Sequence, residues 1–166
     1  MKPKVLIVMG SNSDHPVMKS AEDMLNKFRI PYKTTIASAH RTPDRVIKLA
    51  TEAEKNGIEV IIAGAGMAAH LAGMIAAHAI IPVIGVPIDS SPLNGLDSLL
   101  STVQMPPGVP VATMAIGKSG AKNAAIFSAL IIGRKDHAVA KRLKDYRKEM
   151  AAEVEKKAKA LKGYHD

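Results

Sequence analysis

The sequence predicts an α/β fold: a three-layer αβα sandwich around a parallel five-stranded sheet, with a long C-terminal helix. Three observations predict it. Short, continuous apolar runs recur along the chain, the pattern of strands covered on both faces. Segments with helical apolar spacing lie between them, and such alternation implies right-handed βαβ crossovers. The junctions after the first three runs are rich in Gly, Ala, Ser and His, where a parallel sheet presents its ligand-binding strand ends.

The elements follow in order. Val5-Leu6-Ile7-Val8-Met9 is the first strand, and Gly10-Ser11-Asn12-Ser13-Asp14 is a loop. A helix starts near Pro16, a residue suited to a first helical turn, with Val17, Ala21, Met24, Leu25 and Phe28 on one face. Pro31 to Ala37 is a second strand, less apolar and so nearer an edge. Ser38 to Thr42 is a loop. Pro43 opens a second helix with Val46, Leu49, Ala50 and Ala53 inward, and Asn56-Gly57 stops it. Val60 to Ala63, Ile81 to Val86 and Val109 to Ala115 complete the sheet. Met67 to Ala79 reads as a helix apolar nearly all round, hence buried on every side.

Between Val60 and Gly133 the only formally charged residues are Asp89, Asp97, Lys118 and Lys122. One domain has too little interior for so much uncharged chain, so subunit contacts are expected to cover part of it. The expected organisation is an α/β domain over residues 1–133 and an amphipathic helix within 134–166, part of the same domain. That helix, roughly 134–162, carries Val139, Leu143, Tyr146, Met150, Val154 and Leu161 on one stripe. At about 1.5 Å per residue it spans about 40 Å, enough to reach and pack on a neighbouring subunit.

Composition narrows the function. Hydrophobic residues are 47% of the 166, which excludes a disordered chain, and aromatics are only 3%. No cysteine is present, so no disulfide or thiolate chemistry is expected, and a cytoplasmic location is the natural reading. No segment reads as a signal peptide or a membrane span. The formal charge is +8. Residues 134–166 hold eleven Lys and Arg against six Asp and Glu, interleaved, which reads as a solvated helix face rather than a nucleic-acid surface.

Three loops carry the candidate chemistry. In Gly10 to Asp14, backbone N–H groups at a helix start favour an anion, and Ser11 and Ser13 add donors. Asp14 can accept from a ribose hydroxyl. The same residues suit a helix cap equally well. Neither a Walker ending nor GxGxxG is present. In Ser38-Ala39-His40-Arg41-Thr42-Pro43, Arg41 can clamp a phosphate and His40 can act as general acid or base. In Ala63-Gly64-Ala65-Gly66-Met67-Ala68-Ala69-His70, the glycines let backbone approach a ligand, and His70 lies one turn into the following helix. His78 suits packing, while His15, His137 and His165 look like surface residues. No histidine spacing matches a zinc motif, so no metal is expected. Pro87 to Gly95 and Gln104 to Gly108 read as turns or as pocket walls.

Met9 to Asp14, Ser38 to Pro43 and Ala63 to Leu71 closely resemble the N5-carboxyaminoimidazole ribonucleotide mutase family. Gly85-Val86-Pro87 and Ser101-Thr102-Val103-Gln104-Met105-Pro106 do so too. The resemblance runs from about residue 4 to residue 133. It implies a flavodoxin-like fold, a homo-octamer, no cofactor and a nucleotide substrate. The reaction implied is an isomerisation in de novo purine biosynthesis, from N5-carboxyaminoimidazole ribonucleotide to 4-carboxy-5-aminoimidazole ribonucleotide. His40 and His70 match the family's catalytic positions. Ser11, Ser13, Asp14, Ser38, Ala39, Arg41, Gly64, Gly66, Ala68 and Leu71 match its substrate-binding positions. A sister class that carboxylates aminoimidazole ribonucleotide directly with CO2 resembles Ser-Ala-His-Lys-Thr at the second motif and lacks Ala-Gly-Ala-Gly. Arg41-Thr42-Pro43 and Ala63 to Gly66 therefore favour the mutase. A non-catalytic nucleotide-binding module is the alternative of another kind.

Overall fold

The strands Val5–Met9 (β1), Tyr32–Ile36 (β2), Val60–Gly66 (β3) and Val83–Ile88 (β4), with the two-residue Ala112–Thr113 (β5), pair in parallel in the computed structural model. The model describes residues 2–161. Strand order is β2-β1-β3-β4-β5. The helices are His15–Lys27 (α1), Pro43–Glu52 (α2), Leu71–Ala76 (α3), Leu96–Val103 (α4), Lys118–Ile132 (α5) and His137–Ala160 (α6).

The period-two alternation of a strand sorts β1 between two cores. Val5, Ile7 and Met9 face a layer with Met18, Leu25 and Phe28 of the α1 region, Ala121 and Ala125 of α5, and Tyr146 of α6. Leu6 and Val8 face the other layer, with Val46 and Ala50 of α2 and Leu71 and Ile75 of α3. Every residue of β1 is buried, and each such aliphatic side chain contributes about 1.5–3 kcal/mol. The chain leaves β1 to one side for β2, then recrosses to β3 on the other. The sheet's switch point therefore lies between the C-terminal ends of β1 and β3, where such sheets bind ligands.

Several boundaries differ from expectation. β3 runs on through Gly66, so Gly64 and Gly66 are strand residues and not turn residues. β4 begins and ends two residues later than expected, and β5 shrinks to two residues in a stretch punctuated by Pro106, Pro107 and Pro110. The expected helix Met67 to Ala79 is only α3, because positive φ at Met67 (54°) and Ala69 (40°) holds the preceding segment in a turn. His70 is the residue that caps α3 rather than one inside it. α3 is not covered on every side either: Gly73, Met74 and Ala76 are half-buried, and just past its end Ala77 and His78 are exposed, the His78 ring meeting the Met74 carbonyl at 2.9 Å. The uncharged stretch also supplies α4 and α5, and α5 approaches α1 closely through Ala121, Ala124 and Ala125.

The C-terminal helix has two halves. Val139, Leu143 and Tyr146 are buried on this chain's own core, with Tyr146 edge-on to Phe28 at 5.5 Å. Arg142 Nε donates to the Phe28 carbonyl at 2.6 Å. This half therefore docks on its own subunit. Farther along, Met150, Val154 and Leu161 are 41%, 65% and 68% exposed. The expected ends of the helix segment, residues 162–166 with His165, lie outside the described residues.

Candidate active site

Four loops meet at the C-terminal ends of β1 to β4. After β1, Ser11 is the cap of the short 3-10 turn Asn12–Asp14, with an extended backbone (φ −151°). Its hydroxyl accepts from the Ser13 N–H at 3.3 Å and from the Ser13 hydroxyl at 2.9 Å. Asp14 Oδ2 reaches back to accept the Ser11 N–H at 2.9 Å, closing a reciprocal capping box. Cap and cavity wall are thus the same residues, and the two readings of this loop do not exclude each other. Burial pushes the Asp14 carboxyl above its ordinary value, and the Ser11 and Gly10 N–H groups pull it partly back.

After β2, the chain closes on itself. Thr42 N–H donates to the Ser38 carbonyl at 2.9 Å, and Ser38 N–H donates to the Thr42 hydroxyl at 2.9 Å. That closure places Ala39, His40 and Arg41 at the tip. Arg41 spans two loops: Nε donates to Ser38 Oγ at 3.4 Å and Nη2 to the Gly10 carbonyl at 3.3 Å. The guanidinium is therefore held in position, with donors to spare for an anion.

After β3, the residues Met67 and Ala69 take left-handed backbone conformations that favour glycine. Two such residues in one tight turn mark a segment whose conformation the surroundings impose. The turn brings His70 to His40: His40 Nε2 and His70 Nδ1 lie 2.7 Å apart, rings edge-to-face with centroids 4.8 Å apart. At that distance the two nitrogens share one hydrogen bond, and the tautomer decides which ring donates. Both imidazoles remain exposed to solvent.

These loops enclose a cavity of about 590 Å³. Ser11, Ser13, Asp14, Ser38, Ala39, His40, Arg41, Gly66, Ala68 and Leu71 line it, as the sequence suggests. His70 joins through its contact with His40. Gly64 does not line it. A Cβ at Gly64 would collide with the Met18 side chain, so that glycine serves the packing of α1 on the sheet. Its carbonyl still positions the first loop by accepting the Gly10 N–H at 3.2 Å. At Gly66 a Cβ would strike Ser90 Oγ. The missing side chain there admits a serine from the loop after β4.

Ser90 is the lining residue of a loop that the first three motifs do not include, with Gly10, Ala65, Met67 and Ala69 as further neighbours. It falls within Pro87 to Gly95, which the sequence offers as a turn or a pocket wall, and the strand-end rule applied to β4 points to the same loop. Among the described residues no three His, Cys, Asp or Glu side chains cluster so as to hold a metal ion.

The AIR carboxylase family matches residues 4–153. The N5-carboxyaminoimidazole ribonucleotide mutase of Pyrococcus horikoshii is 58% identical over 160 residues, covering 96% of this chain and 89% of that protein. Its counterpart from Thermotoga maritima is 57% identical over 166 residues, covering 99% and 96%. That of Escherichia coli K12 is 52% identical over 151 residues, covering 91% and 89%. The crystal structure of Treponema denticola PurE is similar at a TM-score of 0.87 and 30% identity, covering 96% of this chain and 99% of that one.

Proposed function

This chain belongs to the AIR carboxylase family, and from that premise we propose how its cavity converts N5-carboxyaminoimidazole ribonucleotide to 4-carboxy-5-aminoimidazole ribonucleotide. It is an enzyme of purine biosynthesis. The observation that carries the mechanism is the His40–His70 contact at the mouth of the four loops. The reaction uses one proton and returns one, and the contact with His70 fixes the His40 ring for both transfers.

In this reading Arg41 binds the substrate phosphate with the Ser11, Ser13 and Ser38 hydroxyls, and Asp14 accepts from the ribose. His40 protonates the carbamate nitrogen as the N–CO2 bond breaks, the bonding pair staying on nitrogen. CO2 remains in the cavity, where its effective concentration is high. The electron-rich ring carbon C4 attacks it, a C–C bond forms, and neutral His40 removes the C4 proton. His70 supports the cationic ring in the first half and steadies the lone pair in the second. Ala39, Ala68 and Leu71 form the apolar wall, and Gly66 leaves room for Ser90 beside the ligand. Neither metal nor cofactor enters any of these steps.

The family's description as a carboxylase favours one further reading, direct carboxylation of aminoimidazole ribonucleotide by CO2. Wild type and His40→Asn are assayed with the carbamate, and separately with aminoimidazole ribonucleotide and bicarbonate without ATP. Turnover of the carbamate that disappears in His40→Asn supports the mutase. Efficient turnover of the second mixture at low CO2 would replace it with the carboxylase. Undiminished turnover by His40→Asn would remove His40 from the chemistry.

The proposed assembly is a homo-octamer working in the cytoplasm. Exposed apolar side chains support self-association: Leu96, Leu100 and Val103 on α4, Phe127 and Leu130 on α5, and Ile80 at 85% exposure. No described helix is long and apolar enough to cross a membrane.

A further inference from the structure

A second cleft, of about 530 Å³, lies at the opposite end of the sheet. Its walls come from segments that precede strands: Lys4 before β1, Pro31 before β2 and Glu59 before β3. Four cations line it, Lys2, Lys4, Arg29 and Arg142, against two carboxylates, Glu59 and Asp136. Both carboxylates are engaged by one lysine. Lys4 Nζ lies 3.3 Å from Glu59 and 3.4 Å from Asp136, and Asp136 also caps α6 by accepting the Ala138 and Val139 N–H groups at 3.1 Å. That leaves Lys2, Arg29 and Arg142 without a carboxylate partner among the described residues.

The two arginines are set differently from surface cations. Arg142 is half-buried and fixed by its Nε bond to the Phe28 carbonyl. Both of its Nη groups are without a protein acceptor among the described residues. Arg29 occupies the left-handed position that ends α1, with φ 52°. There Arg29 N–H donates to the Asn26 carbonyl and Ile30 N–H to the Leu25 carbonyl, both at 2.9 Å. Glycine is the residue this helix ending favours. An arginine in that place carries backbone strain and makes no hydrogen bond with its own side chain among the described residues. Between the cations the lining is apolar: Pro31 and Ala138 are accessible, lying over the buried Ile30 and Val139.

We propose that this cleft is a second ligand site, separate from the His40 cavity, that takes a nucleoside di- or triphosphate. Arg29 and Arg142 fork the phosphates, Lys2 adds charge, and the base lies against Pro31 and Ala138. Volume and chemistry agree: small-molecule pockets run from about 300 to 1,000 Å³ and pair an apolar lining with a few fixed polar groups. Guanidinium groups suit phosphate geometry.

The test is calorimetric titration of the full chain with ATP, and with inorganic pyrophosphate as the headgroup alone. Three proteins are compared: wild type, Arg29→Gly and Arg41→Ala. Glycine suits the left-handed position, so Arg29→Gly keeps its fold, checked by an unchanged or raised Tm. The expected result is ATP binding that persists in Arg41→Ala and weakens about tenfold or more in Arg29→Gly, the loss expected for a charged hydrogen bond. Pyrophosphate binds more weakly than ATP but with the same pattern. ATP binding lost in Arg41→Ala and retained in Arg29→Gly would place it in the active site and overturn the proposal. So would binding indifferent to both substitutions, or no binding at all.

Discussion

The side chain of Met18, from α1, fills the space that a Cβ on Gly64 would need. Gly64 thus belongs to the contact between helix and sheet, although it stands in a motif that reads as ligand-binding. Met18 is fully buried, and the neighbouring Gly10 loop hangs from the Gly64 carbonyl. Packing on one side of the sheet therefore sets the position of a loop at the site.

Gly64→Ala should cost about 1–3 kcal/mol by overpacking, because the methyl has no room until Met18 moves. Met18→Ala alone leaves a cavity and should cost about 2–5 kcal/mol. The two together should lose less than the sum, with a coupling of about 0.5–3 kcal/mol, since the new methyl enters the vacated space. Chemical denaturation of the four proteins measures this. Strict additivity would mean that Met18 is not what excludes a side chain at Gly64.

The sheet and the site were largely legible in the sequence because both rest on local signals. Five consecutive apolar residues at Val5–Met9 announce a buried strand, and Ser11 with Asp14 announces a cap. What was not legible depends on chain segments distant in sequence. Met18 explains Gly64, and Ser90 explains Gly66, but neither pairing leaves a periodic trace. The turn at Met67 to His70 was also hidden. Its residues are good helix formers, and only the left-handed backbone at Met67 and Ala69 keeps them out of α3. The tail stripe was correct in spacing but silent about which partner each half meets.

The hydrogen bond between His40 and His70 predicts distinct variants. His40→Asn should lower kcat by about 10²–10⁴ as the acid/base is lost. His70→Asn keeps His40 but removes its partner, so kcat should fall less while the pH–rate profile changes. Stopped-time assays across pH on both variants decide it. A His70→Asn enzyme with the wild-type rate and profile would show that His70 only fills space.

Asp14 links stability to pH in a direction set by burial. Its folded-state value is raised, so the fold favours the neutral acid. A raised carboxyl contributes stability that is complete below the ordinary value of 3.8 and is lost as pH rises through the higher folded-state value. Asn at this position stays neutral, and its carbonyl can still accept the Ser11 N–H. Asp14→Asn should therefore match wild type near about pH 3 and gain on it at neutral pH. Thermal melts at several pH values read the difference. If Asp14 binds the ribose as proposed, KM rises in the same variant, giving a more stable and poorer enzyme.

The two halves of α6 should separate by truncation. Tyr146 is the last residue buried on its own core, and the Lys27–Glu149 ion pair at 2.6 Å follows it. From Met150 onward every described residue is exposed. A helical end of about three turns is marginal alone in water, so an ordered one with an apolar stripe at Met150, Val154 and Leu161 needs a covering surface. A chain ending at Glu149 should lose only the helical signal of the removed turns and keep a cooperative melt while light scattering reports a smaller assembly. An unfolded product would mean that these turns stabilise their own subunit. An assembly of unchanged mass would mean that the stripe meets no second copy, leaving α4 and α5 to carry the contacts.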